Sequence, residues 1–157
     1  MEIRRVVIGH DKDGKAVVEQ DAMMSNVKVM PSGHSGCVMW ATDGTPADPN
    51  VTDDPAAKDR PLPPPRHGTV LRILQLVPHK PAFMHRTDTV DYCIVLEGEC
   101  FMKMDDGAEV KLKQGDILIQ KGTWHGWENR SDATCRLAFV LIDGVAPDKT
   151  LHPTLGH

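Results

Sequence analysis

Two short segments of the chain hold the residues best suited to chemistry. The first runs from His85 through Thr87 to Asp91, and the second ends at His125. Because residues i and i+2 of a strand share one face, His85 and Thr87 can point the same way, and Asp91 can rejoin them after a turn. Two imidazoles and a carboxylate form the ligand set of a divalent transition-metal centre, for which Fe, Mn, Ni and Zn are candidates.

The same residues also permit chemistry without a metal. A neutral imidazole is a general base near neutral pH, and Asp91 could orient it. The hydroxyl of Thr87 is a poor ligand for a transition metal, so its position would stay open for substrate or water. We therefore expect His85, Asp91 and His125 to be the catalytic residues, either as metal ligands or as acid–base groups.

Four further residues are candidates for contact with a substrate. Trp124 and Trp127 flank His125, and their indoles could stack on a planar ligand or simply pack in the protein interior. Thr87 and Tyr92 complete this set. We expect a turn role for Asp88. Four histidines have no partner at a useful spacing and are expected on the surface or in loops: His10, His34, His67 and His79.

Strands must position these residues, because short β-prone runs dominate the chain and helical periodicity is scarce. Turn signals recur every eight to twelve residues, which is typical of a sandwich or barrel. The predicted strands span residues 4–8, 16–19, 27–30, 37–41, 69–77, 91–96, 99–104, 109–113, 117–120 and 136–142.

Residues 43–66 interrupt this rhythm and are called the arm below. The arm contains more than half of the twelve prolines and little apolar bulk. Such a loop is either packed over a pocket or a neighbouring subunit, or disordered. We therefore divide the chain into N-terminal strands over 1–42, the arm, a barrel over 67–143 and a C-terminal tail over 144–157.

Composition restricts the classes of partner. The formal charge is −4 and no cluster of Lys and Arg stands out, so we expect no nucleic-acid partner. No apolar run is long enough to span a bilayer or to form a secretory signal, so we expect a cytoplasmic protein with no membrane partner. The four cysteines lack metal-binding spacing and are expected to be reduced and structural.

The two segments resemble the two motifs of the cupin superfamily. The first motif runs His-x-His, then Glu, then Gly, and four residues fit its spacing: His85, Thr87, Asp91 and Gly98. The second motif also has four matches by spacing: Gly115, Gly122, His125 and Asn129. Thr87 and Asp91 depart from the usual His and Glu, and Gln120 stands where Pro is usual.

This resemblance implies a cupin double-stranded β-helix, or jelly-roll, barrel with a small-molecule ligand in its pocket. It also implies a divalent metal held by His85, Asp91 and His125, no nucleotide cofactor, and a homodimer. The run Met84-His85-Arg86-Thr87 with Asp91-Tyr92 is similar to a subset that includes cupin-domain oxidoreductases of fungal metabolite clusters. We therefore expect an oxidoreductase or lyase that acts on a small, aromatic or polyketide-like molecule. The alternative is a non-catalytic ligand-binding cupin with a degenerate metal site.

Overall fold

The computed structural model describes residues 1–147 and 151–155, and within them it is built almost entirely of antiparallel strands. The only helical elements in this described part are 3₁₀ turns at Pro55–Ala57 and Asp105–Gly107. The all-β prediction is confirmed. The strands are β1 Arg4–His10, β2 Ala16–Met23, β3 Lys28–Val29, β4 Ser35–Thr42, β5 Thr69–Leu76, β6 Thr89–Glu97, β7 Glu99–Lys103, β8 Glu109–Lys113, β9 Ile117–Lys121, β10 Gly126–Glu128 and β11 Cys135–Asp143.

Two sheets and one hairpin organise these strands. Six strands form the larger sheet in the order β3-β4-β5-β11-β6-β9, and three form the smaller sheet in the order β10-β7-β8. In the described part of the chain, strands β1 and β2 pair only with each other. The main apolar core lies between the two sheets, because β6 and β11 of the larger sheet share one buried cluster with β7, β8 and β10 of the smaller sheet.

Alternation along each strand decides which residues enter this core. In β6, Asp91, Cys93 and Val95 are buried, whereas Val90 and Tyr92 are exposed. Successive side chains of a strand point to opposite faces, so each apolar residue at every second position adds to the same interior. The interior therefore receives the carboxyl group of Asp91 together with its apolar neighbours.

A second buried cluster lies on the opposite face of the larger sheet. It contains Cys37 and Met39 of β4, with Ile73 of β5 and Ala138 of β11. Side chains from the first three residues and from residues 24–27 pack against it. Both faces of the central strands are covered in this way, and all four cysteines are buried and free.

The predicted strands match those of the structure closely in the second half of the chain and less well in the first. The run 27–30 pairs only over Lys28–Val29, because the proline at position 31 and the turn that follows end the pairing. Strand β10 was not predicted. It has three residues and begins at Gly126, so no alternating pattern marks it.

The arm packs on the barrel. Asp54 forms an ion pair with Arg5, and its carboxylate also accepts the N–H of Ala56 at 3.0 Å, which caps the first 3₁₀ turn. Arg60 bonds the carbonyl of Pro55 and the carboxylate of Asp43. These contacts place residues 56–60 and Leu62 on the wall of a cavity of about 470 Å³.

The described part of the tail crosses the outside of the barrel. The guanidinium of Arg86 donates to the carbonyl of His152 at 2.9 Å, and the N–H of Leu155 donates to the carbonyl of Arg86. His157 and residues 148–150 lie outside the described residues. Within the described residues, no helix has the length and apolar character needed to cross a membrane.

Candidate active site

The backbone brings His85 and His125 together. The N–H of each residue donates to the carbonyl of the other, both at 2.8 Å, so the two form an isolated antiparallel bridge between segments 40 residues apart. Residues paired in this way hold their side chains side by side. The two imidazole rings accordingly lie 4.3 Å apart between centroids, at an interplanar angle of 53°. The predicted meeting of the two histidines is present in the structure.

Each imidazole is held in one tautomer. The Nδ1–H of His85 donates to the carbonyl of Phe83 at 3.0 Å, and the Nδ1–H of His125 donates to the carbonyl of Thr123 at 2.9 Å. A carbonyl oxygen can only accept, so Nδ1 carries the hydrogen in both neutral rings. The lone pair then resides on Nε2, and both rings line the same cavity. The pair therefore offers two basic nitrogens to whatever the cavity binds.

Burial keeps both rings neutral. Loss of hydration and, to a smaller extent, the neighbouring His85 together lower the pKa of His125 to about 4, against the opposing effect of its bond to Thr123. Burial also lowers the pKa of His85, against the opposing effect of its bond to Phe83. Both Nε2 atoms are thus unprotonated at neutral pH and can accept a proton or bind a cation.

Asp91 lines the same cavity but has its own partner. Its side chain is only 4% exposed, and Oδ2 accepts the amide N–H of Gln120 at 2.9 Å. Oδ1 is buried and has no hydrogen-bond partner within the described structure. Burial raises the pKa of Asp91 to about 6, opposed by the nearby hydroxyl of Thr89 and by the charge of Arg72. Asp91 can therefore exchange a proton close to neutral pH.

Thr87 is buried in the loop that leads into β6. Its hydroxyl bonds the hydroxyl of Thr89 at 2.7 Å, and its side chain also lines the cavity. A methyl and a hydroxyl thus stand where the motif usually has a second histidine. The result is a cavity wall with less basic character beside His85.

The cavity has a volume of about 470 Å³ and a mostly apolar lining. Trp127 packs edge-on against Phe139 at 5.3 Å and against His125 at 6.0 Å. The ring of Phe83, which is 69% exposed, stacks over His85 at 5.5 Å between centroids. Such a space suits a ligand with an aromatic or otherwise flat apolar body.

Two predicted contact residues lie elsewhere. Tyr92 does not line the cavity and is 42% exposed, because it alternates with Asp91 and faces outward. Trp124 lies outside the cavity as well and stacks on His152 at 4.4 Å. Tyr92 shares its exposed face with Ile117 and Ile119 of the edge strand β9. An apolar edge of this kind is suited to pairing with another chain, and the homodimer stays a prediction.

Sequence reasoning missed several residues of the cavity wall. Arg72 and His34 both line it; His34 was expected on the surface or in a loop, and it does lie in the loop before β4, but its place on the cavity wall was not predicted, and Arg72 was not considered. Arg72 had a detectable signal, since a single cationic side chain interrupts the apolar strand β5 on the face that carries Leu74 and Leu76. The Nδ1 of His34 accepts the N–H of Val77 at 3.2 Å, so its position depends on a contact between distant segments and had no local signal.

The two histidines fit a divalent metal only in part. Both imidazoles have the tautomer and the carbonyl contact at Nδ1 that metal-bound histidines show. Within the described residues, no group of three or more His, Cys, Asp or Glu side chains gathers in a way that could hold an ion. His85 and His125 therefore fit a metal as two ligands, where catalytic sites usually have three. The assignment of Asp91 as a ligand stays a prediction.

We expect the stability of the protein to depend on pH in opposite directions at His125 and Asp91. The pKa of His125 falls from 6.5 to about 4 on folding, so stability is lost as the pH falls through this window. The pKa of Asp91 rises from 3.8 to about 6, so stability is gained as the pH falls through that window. When the pH is lowered from 7 to 5, the free energy of unfolding of His125→Asn should rise relative to that of the native chain by on the order of 1–2 kcal/mol. That of Asp91→Asn should fall relative to the native chain by about 1 kcal/mol.

Urea unfolding of the three proteins at the two pH values measures these differences. Parallel pH dependences in all three would contradict the assignment of the buried neutral imidazole and the buried carboxyl group.

Comparison with known proteins agrees with this architecture. Residues 73–142 match the family described as "Cupin domain". The chain is 30% identical over 147 residues to "Cupin-domain-containing oxidoreductase virC" of Hypocrea virens, which covers 88% of this chain and 75% of that protein. It is 44% identical over 77 residues to "Phomopsin biosynthesis cluster protein D" of Diaporthe leptostromiformis, which covers 48% of this chain. The match spans only 41% of the length of that protein.

One solved structure covers nearly the whole chain. It is a putative ethanolamine utilization protein of Salmonella typhimurium, similar with a TM-score of 0.52 and 13% identity over 92% of this chain and 99% of that one. At this identity the likeness shows the fold alone. Three observations agree: the two sheets pack face to face, the two motif histidines meet at one cavity, and one relative is matched over most of both chains. The chain therefore belongs to the cupin family.

Proposed function

We propose that this chain is a cupin-type enzyme that acts on a small organic molecule by proton transfer at the His85–His125 pair. The observation that carries the proposal is the pair itself: two neutral imidazoles in contact, each held at Nδ1 by a backbone carbonyl, line an apolar cavity. The name oxidoreductase given to a relative that is matched over most of its length supports an enzyme.

The chain's own residues can perform both halves of a proton transfer. Nε2 of either histidine accepts a proton from an acidic C–H or O–H group of the bound molecule. Asp91 is the nearby group that can return a proton, because its pKa of about 6 leaves part of it protonated near neutral pH. An anionic substrate beside the rings would raise the pKa of both imidazoles, since a negative charge favours the imidazolium form. Removal of a proton is a step shared by lyases, isomerases and several oxidoreductases.

A second candidate is a divalent-metal enzyme, and the exposed Nε2 lone pairs of the two histidines favour it. His85 and His125 would hold the ion, with the carbonyls of Phe83 and Thr123 fixing the ring orientations. A bound transition metal would supply Lewis-acid or redox chemistry at this end of the cavity.

Turnover of chelator-treated protein separates the two candidates. The protein is incubated in D₂O with a panel of aromatic and polyketide-like acids, and mass spectrometry follows deuterium uptake and new products. Proton transfer by the pair predicts exchange or product formation in the presence of EDTA, with a matched loss in His125→Asn. Activity that disappears with EDTA and returns with Fe(II), Mn(II), Ni(II) or Zn(II) would instead support the metal enzyme. Saturable binding with neither exchange nor products would support the non-catalytic cupin.

A further inference from the structure

The cavity wall carries one cation that has no ion-pair partner among the described residues. Three of the cationic side chains on the wall form ion pairs: Lys28 with Asp59, Lys58 with Asp43, and Arg60 with Asp43. Arg72 also lines the cavity, but it makes no ion pair with any residue of the described ranges 1–147 and 151–155.

The position of Arg72 directs it into the cavity. It lies in the middle of β5, where its backbone is paired with Phe139 on one side and Val38 on the other. Both of these neighbours line the same cavity, as do Leu74 and Leu76 at the next two alternate positions of β5. The guanidinium therefore extends from the apolar wall that faces the ligand space.

The hydrogen bonds of Arg72 are only partly used. Nη2 donates to the carbonyls of Pro61 and Leu62 in the arm, at 3.1 and 2.9 Å. Nε is buried and has no partner within the described structure. A buried cation with unused N–H donors costs free energy unless an anion or another acceptor satisfies it. Asp91 on the same wall is bonded to Gln120 and does not reach ion-pair distance from Arg72.

We infer that Arg72 binds an anionic group of the ligand, a carboxylate in the first instance, and so selects organic acids for this cavity. The inference rests on the proposed function only in that the bound acid is taken as the substrate. The carbonyls of Pro61 and Leu62 hold the guanidinium from the arm side, while the apolar wall accommodates the body of the acid. Arg72 is a substrate-binding residue in this arrangement and takes no part in the proton transfer.

The test compares 2-naphthoate with its neutral isostere 2-naphthamide by isothermal titration calorimetry. We expect the native protein to bind the carboxylate about tenfold more tightly or better, because a charge-assisted hydrogen bond is much stronger than a neutral one. Arg72→Gln should reduce the preference to less than about twofold, and Arg72→Lys should keep part of it, since the point charge remains without the planar fork. Lys28→Gln is the matched control, because Asp59 already neutralises this cavity-lining cation.

Two results would overturn the inference: equal affinities for acid and amide in the native protein, or a preference that survives in Arg72→Gln. Failure to bind either compound would overturn it too. The comparison in the native protein needs no variant, so a folding defect in Arg72→Gln leaves the test intact. His125→Asn should retain the preference for the acid. A native protein that selects the acid but shows no turnover would refute the proposed function alone. Turnover without a preference for the acid would refute only the role of Arg72.

Discussion

The His125→Asn variant is expected to lose about 10²- to 10⁴-fold in kcat, the usual contribution of a positioned acid–base group. The asparagine amide can still donate to the carbonyl of Thr123, as Nδ1 of His125 does at 2.9 Å. What the variant lacks is Nε2, the nitrogen that is open to the cavity. The substitution therefore removes the reactive atom and retains the local backbone contact. Steady-state kinetics on the substrate identified in the D₂O screen measures the loss.

His79→Asn is the matched control for this substitution. His79 is exposed, bonds Asp132 at 2.8 Å outside the cavity, and has a φ of 55°, which lies in the left-handed region.

 Asparagine tolerates this region better than most residues. The control should keep kcat within about twofold, since a surface change away from the site has little effect.

His85→Asn and the double variant extend the same test. If the two imidazoles act as a unit, the double variant should be no slower than the slower single variant, because groups that act together are not additive. Turnover within about fivefold of the native rate in His125→Asn would exclude the pair as the reactive centre, since positioned acid–base groups contribute far more.

The Asn129→Ala variant is expected to lose about 3 kcal/mol in the free energy of unfolding, because several buried hydrogen bonds depend on this one side chain. Asn129 is fully buried. Its Nδ2 donates to the carbonyls of Leu76 and Ala133 at 3.1 and 2.7 Å. Its Oδ1 accepts from the N–H and the hydroxyl of Ser131 at 2.9 and 2.8 Å. Alanine would remove this hydrogen-bond partner from the carbonyls of Leu76 and Ala133 and from the N–H and hydroxyl of Ser131.

Urea unfolding at pH 7 measures this loss, and Asn50→Ala provides the control. Asn50 is exposed in the arm, and among the described residues its side chain bonds only Asp48. Its replacement should therefore change the free energy of unfolding by less than about 0.5 kcal/mol. An unchanged denaturation midpoint in Asn129→Ala would refute the structural role of this asparagine.

Much of the fold was predictable because its information is local. The alternation of Asp91, Cys93 and Val95 with outward residues is visible in the sequence, and so are the glycines that end strands. Gly98 has a φ of +75°, and a Cβ there would lie 2.7 Å from the carbonyl of Thr134, so only glycine fits the turn between β6 and β7. The outward direction of Tyr92 follows from the same alternation, since its neighbour Asp91 faces inward.

The candidate site was predictable in part for the same reason. The motif spacing located His85, Thr87, Asp91 and His125, and all four line one cavity. The spacing could not show that Asp91 bonds Gln120, because this contact depends on how β6 and β9 pair.

By itself, the sequence determined which residues alternate into the interior and where the strands turn, since both depend on neighbours within a few positions. Only the tertiary structure decided that Arg72 has no ion-pair partner within the described residues, that the arm forms part of the cavity wall, and that the rings of His85 and His125 touch. These features join segments far apart in the chain, and their geometry is set by the closure of the two sheets around a common core.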